Sequence, residues 1–174
     1  GVAVQERECG TEHRGVAGTL ANLGNAYGAR GDAARKRDRL ERALASQERE
    51  YGKEHREVAV TLANIGTAHG ALGDAARQRD LLERALAIQE REYGTEHREV
   101  AVTLANLGNA YEAPGDAARN RYLLERALAI QAREYGPEHR QVSVTLASHG
   151  TEHGALGDAA RQRYLAYRAM SSPR

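Results

Sequence analysis

Residues 52–93 read GKEHREVAVTLANIGTAHGALGDAARQRDLLERALAIQEREY, and residues 94–135 return the same string at 33 of 42 positions. A period of this length marks a repeat architecture, in which each unit is one supersecondary element that buries its apolar face against its neighbours. The period extends in both directions. Gly10, Gly52, Gly94 and Gly136 each open a unit, and Glu-His-Arg follows two positions later every time. The turn Gly-Asp-Ala-Ala-Arg recurs from Gly31, Gly73, Gly115 and Gly157. The sequence therefore predicts a single repeat domain over residues 1–174, with units at 10–51, 52–93 and 94–135, a degenerate fourth at 136–174, and residues 1–9 as the tail of a preceding helix.

Each unit holds two helical patterns. Val58, Leu62, Ile65 and His69 fall on one face of a helix, with Ala59, Ala63 and Gly66 as a stripe of small residues beside it. After Gly73 a second pattern sets Leu82, Ala85, Leu86 and Tyr93 on one face, with Leu81 and Ile88 alongside. Gly73 can take the positive φ that ends the first helix. The Asp74 carboxylate can accept from the free backbone N–H groups of the second helix. Asp80–Arg84 and Arg79–Glu83, four apart, add modest support.

Leu62, Ile65, Gly66 and His69, followed by Gly73, Asp74, Ala85 and Leu86, resemble a tetratricopeptide repeat. Leu20, Leu23, Gly24 and Tyr27, and Leu104, Leu107, Gly108 and Tyr111, are closer still to the family pattern. The 42-residue period and the Tyr-Gly-x-Glu-His link are similar to the longer repeats of kinesin light chains and nephrocystin-like proteins. The resemblance covers the whole chain. It implies an all-α, right-handed superhelical solenoid of antiparallel helix pairs that acts as a protein–protein interaction scaffold, with the first helices lining a concave groove. One feature departs from the pattern. Where the family has an aromatic residue early in the second helix and then a small one, this chain has Ala33 and Lys36, Ala75 and Gln78, Ala117 and Asn120, and Ala159 and Gln162. The expectation is that the small alanine leaves room for the polar stem.

Composition narrows the function classes. The chain carries a net charge of +1 with Arg and Glu interspersed, so no basic block is present to follow a phosphate backbone, and nucleic acid is not an expected partner. No apolar run approaches the ~18 residues of a membrane span, so membrane insertion is not expected. The single Cys9 has no internal disulfide partner, which is compatible with a reducing compartment, and the cytoplasm is the expected location. Residues 1–9 align with the end of a second helix (Ala85 to Tyr93), which predicts a piece of a longer array, with a short capping helix as the alternative. At the other end His149 replaces the Leu23, Ile65 and Leu107 position and Ala166 the Leu40, Leu82 and Leu124 position, which reads as a solvent-facing cap.

The candidate binding residues lie on the first helices, away from the second. They are Asn22, Asn25, Val60, Asn64, Thr67, Val102, Asn106 and Asn109. A row of asparagines can donate to and accept from an extended peptide backbone, and the small residues beside it leave space for side chains. The competing reading is that these asparagines are solvated or tie neighbouring repeats together. No cluster of Lys or Arg accompanies them. His149-Gly150-Thr151-Glu152-His153 has the H-x-x-E-H form of some zinc peptidases. In the repeat register both histidines take packing positions and no third ligand is indicated, so no metal, cofactor or catalytic residue is expected. His13, His55, His97 and His139 recur at the links, where a local hydrogen bond is the simplest role and pH sensing the alternative. A scaffold that binds a peptide or helix is the leading function. A structural element that assembles through its end faces, or a fixed subunit of a larger complex, is the alternative.

Overall fold

The computed structural model describes residues 14–111, 116–136 and 139–145. The tail at residues 1–9, Cys9, His13, Gly115, the H-x-x-E-H segment and the capping half of the fourth unit lie outside them. The chain forms two compact units, meeting in sequence at Thr95 and Glu96. The first contains α1 (Arg14–Ala29), α2 (Ala33–Tyr51), α3 (Arg56–Ala71) and α4 (Ala75–Tyr93). The second contains α5 (Arg98–Ala110), α6 (Ala117–Tyr135) and a further helical segment at residues 140–145. No strand occurs among the described residues.

The turn within a pair is built from the Gly-Asp dipeptide. In α3 the N–H of Asp74 donates to the carbonyl of His69 at 2.9 Å and that of Gly73 to Gly70 at 3.0 Å, while Gly73 sits at φ +83°. This is a Schellman ending, which requires a left-handed residue after the last helical turn. Asp74 then serves the next helix, its Oδ1 accepting from Arg77 N at 3.0 Å. Gly31 and Asp32 do the same between α1 and α2. One residue thus closes a helix with its main chain and opens another with its side chain. Asp116 precedes α6 without a side-chain cap bond.

In the first unit α1 packs on α2, and α3 packs on both α2 and α4. The core joins Val58, Ala59 and Leu62 of α3 to Ala85 and Ile88 of α4, with Leu44 of α2 against it. In the second unit Val100, Leu104 and Leu107 of α5 are buried, as are Leu124, Ala127 and Ile130 of α6. Of the stripe expected on α3, Val58, Ala59, Leu62, Ile65 and Gly66 are buried, while Ala63 and His69 are half-buried. In α4 the buried line is Leu82, Ala85, Ile88 and Gln89, while Leu86 and Tyr93 are only half-buried. The buried polar residue was not anticipated. Gln47, Gln89 and Gln131 recur at the 42-residue step, all buried, each with an Oε1 that has no hydrogen-bond partner among the described residues.

Room for the polar residues early in the second helices comes from the preceding helix, not from the alanines. Ala33 is half-buried, while Ala75 and Ala117 are exposed. Instead, Lys36 passes over Gly28, its Cδ 2.7 Å from where a Cβ would stand, and the Gln78 amide lies over Gly70 in the same way. The third unit has Glu112 at this place, and its second helix carries the shorter Asn120, which turns to donate to the carbonyl of Gly108 at 2.9 Å.

Candidate partner-binding surface

The α3 helix buries Val58, Ala59, Thr61, Leu62, Ile65, Gly66 and Ala68 between its neighbours. What remains is a stripe with helical spacing: Val60, Asn64 and Thr67. Val60 is 39% exposed, and Asn64 and Thr67 are half-buried. On α1 the matching positions leave Asn22 and Asn25 exposed. On α5 they leave Val102 and Asn106 half-buried and Asn109 exposed. None of these five asparagine side chains has a hydrogen bond among the described residues. Among the described residues their donors and acceptors have no partner, and Asn22, Asn25 and Asn109 are exposed to solvent.

Thr67 differs. Its hydroxyl donates to the carbonyl of Asn64 at 2.8 Å and accepts from Lys36 Nζ at 3.1 Å. The lysine rises from α2, passes over Gly28 of α1 and ends on α3, so its ammonium ties α2 to α3. Burial holds Lys36 below the ordinary lysine value. Reading the stripes alone misses this cation, because Lys36 belongs to a second helix. The signal available in the sequence was Gly28, eight residues earlier, leaving space for a long side chain.

In the second unit Val102 and Asn106 come together in a cleft of ≈ 270 Å³ between α5, α6 and the segment at 140–145. Gln131 lines it from α6, and Arg140 and Val144 from the following segment. A cleft of this size suits one or two side chains of a partner, below the ~300–1,000 Å³ typical of a small-molecule pocket.

The charged faces of the second helices are largely engaged within the protein. Arg84, read from the sequence as the partner of Asp80, reaches Glu48 Oε1 on α2 at 2.7 Å. Arg91 donates to Glu54 Oε2 and to the carbonyl of Glu54, both at 2.6 Å. Arg133 holds Glu96 in the same manner at 2.9 and 3.1 Å. Arg91 and Arg133 thus fasten the loops before α3 and α5 to the second helices that follow them. Among the described residues no group of three or more His, Cys, Asp and Glu side chains could hold a metal ion, and no helix is long and apolar enough to cross a membrane.

Helix pairs joined by a Gly-Asp turn and repeated every 42 residues define a helical-repeat protein. The family model described as tetratricopeptide repeat matches residues 15–77 and 79–119, and a second of the same description matches residues 100–141. The chain belongs to the tetratricopeptide repeat family, an all-α solenoid of antiparallel helix pairs. Its fold is similar to that of a putative kinesin light chain of Podosopora anserina with nearly identical TPR-like repeats, at 24% identity and a TM-score of 0.77 over 99% of this chain and 84% of that one. A point variant of that protein gives a TM-score of 0.78 at 24% identity, over 98% and 82% of the two chains. BtubC (BKLC) of P. vanneervenii is similar at 24% identity and a TM-score of 0.75, over 91% of this chain and 67% of that one. No curated protein matches the sequence. Tetratricopeptide repeats are in general scaffolds for protein–protein interaction.

Proposed function

We propose that this chain holds a partner protein by an extended peptide or a helix laid along the first helices of its repeats. The observation that carries this reading is the uncommitted state of the asparagines. Asn22 and Asn64 occupy matching places on α1 and α3 of one unit, and neither amide has a hydrogen bond to a side chain or backbone group among the described residues. A peptide unit both donates and accepts, and a carboxamide matches it on both counts. Val60 beside them offers apolar area, while Arg84 and Arg91 on the outer face are occupied within the protein by Glu48 and Glu54. In the second unit the cleft at Val102 and Asn106 offers the same combination of a small apolar wall and an amide.

The test begins with affinity capture from the native source and identification of the partner by mass spectrometry. Its affinity is then measured by calorimetry. The double change Asn22→Ala and Asn64→Ala should weaken binding at least about tenfold with helicity unchanged, since each buried peptide group left unpaired loses roughly 1–3 kcal/mol. The charge reversal Arg79→Glu with Glu83→Arg should leave the affinity within about threefold, as rim charges contribute little. Loss of binding on the charge reversal but not on the asparagine change would overturn the groove reading and favour association through other surfaces.

A further inference from the structure

The cleft between α5, α6 and the segment at 140–145 holds a buried acceptor and an exposed cation. Gln131 is 3% exposed, the most buried polar residue of the lining, and its Oε1 has no hydrogen-bond partner among the described residues. Buried polar atoms are otherwise nearly always paired, so one left open in a cleft marks a place for a donor. Val102 and Ala105 of α5 and Val144 of the following segment supply the apolar wall, and Asn106 and Arg140 stand nearer to solvent. The 42-residue register puts an arginine just after each link histidine: Arg56, Arg98 and Arg140. The first two lie beside a glutamate, Glu57 at 3.8 Å and Glu99 at 3.6 Å. In the third copy that neighbour is Gln141, and Arg140 has no ion pair or hydrogen bond among the described residues. The rim is also fixed in place. His139 Nδ1 accepts from the Gln141 N–H at 3.2 Å, and its ring stacks on Tyr135 of α6 at 4.6 Å between centroids. His55 and His97 make the same cap bond at the earlier links.

We propose that this cleft is an anchoring pocket for a glutamine side chain of the partner, read by Gln131 and Arg140. The inference rests on the groove reading, since Val102 and Asn106 belong to the same stripe. A primary carboxamide carries a donor and an acceptor together. Its N–H serves Gln131 Oε1, and its oxygen accepts from Arg140 or from the Asn106 amide. Gln131 is itself a carboxamide, so the two groups can pair reciprocally through two hydrogen bonds. The methylenes of the incoming glutamine then lie against Val102 and Val144. Other side chains satisfy less of the cleft. A carboxylate answers Arg140 but brings no proton for Gln131 Oε1 and sets its charge against that oxygen. A tyrosine has a single hydroxyl, which cannot serve the buried acceptor and the rim at once. A leucine fills the wall and leaves both polar groups unpaired, at the cost of their lost hydration. A lysine would set a second cation beside Arg140.

The experiment titrates the full chain with N-acetyl-glutamine N-methylamide and with its glutamate, tyrosine and leucine counterparts. Binding is followed by NMR of the Val102 and Val144 methyls and the Gln131 side-chain amide. The glutamine probe is expected to bind with a Kd of about 1 mM, the range open to a fragment of its size. The other three should bind at least about fivefold more weakly, because each leaves a polar group of the cleft unpaired. The variant Gln131→Met keeps the length of the side chain and removes its acceptor. It should weaken the glutamine probe at least about fivefold while the melting temperature stays or rises, since an unpaired buried oxygen is lost. If Gln131→Met does not fold, Arg140→Ala on the exposed rim carries the same test with the same sign. A glutamine probe that binds no more tightly than the other three, shifts other residues instead, or ignores both changes would overturn the proposal. The captured partner separates this pocket from the groove reading. Binding weakened by Asn22→Ala with Asn64→Ala but not by Gln131→Met would sink the anchor and leave the groove. The reverse result would keep the anchor and remove the groove.

Discussion

Replacing Leu104 by alanine should cost the protein about 2–5 kcal/mol of unfolding free energy, the largest stability loss expected of a single truncation in α5. Leu104 is fully buried, and Val100 and Leu107, one turn away on the same helix, are buried with it. Nearly all of its side chain is removed from water, and its neighbours are held on rigid helices that close poorly over a void. The comparison is Leu72→Ala. That leucine is 44% exposed in the turn after α3, and its truncation should stay within about 0.5 kcal/mol. Urea titration of the two variants measures both. Equal midpoints would mean that α5 does not carry the core of its unit.

Two glycines of the first helices should respond to enlargement with opposite signs. A Cβ at Gly108 would stand 2.7 Å from Leu124 Cδ2 and 2.8 Å from Cγ. Cγ is near the root of that side chain, Leu124 is itself fully buried, and the Asn120 amide ties α6 to the Gly108 carbonyl. The helices have no easy way to separate. Gly108→Val, with two further methyl groups, should destabilise by about 2–3 kcal/mol. A Cβ at Gly18 meets nothing within 4 Å, so Gly18→Ala should gain about 0.5–1 kcal/mol, because the unfolded chain loses more freedom than the helix. Denaturant midpoints of both variants decide this, and a stable Gly108→Val protein would show that α5 and α6 are less closely packed than the glycine implies.

The contrast between these glycines shows how far the chain can be read without its fold. Gly108 and Gly18 are the same residue on the same kind of helix. The repeat register separates them, since Gly24 and Gly66 stand in the place of Gly108, whereas Val60 and Val102 stand in the place of Gly18. Register therefore identified one as a point of close approach. The candidate binding stripe was legible for a similar reason: once the apolar face of α3 is assigned, the helical period leaves Val60, Asn64 and Thr67 on the other side.

By itself the sequence determined the helix pairs, their 42-residue step, the Gly-Asp turns and the apolar faces of the first helices. Each of these is settled within a few residues, by φ at Gly73, by an aspartate within reach of an amide three residues on, or by spacing along one helix. Only the tertiary structure decided what the polar side chains do. Lys36 bonds to Thr67, 31 residues away, and Arg91 to Glu54, 37 residues away. Gln89 and Asn120 are buried although nothing in their own helices requires it. A long polar side chain can turn to water, to its own helix or to the next one, at nearly equal cost along the chain. The choice falls to whichever neighbour supplies a gap and a partner, and that neighbour is present only after the helices have packed.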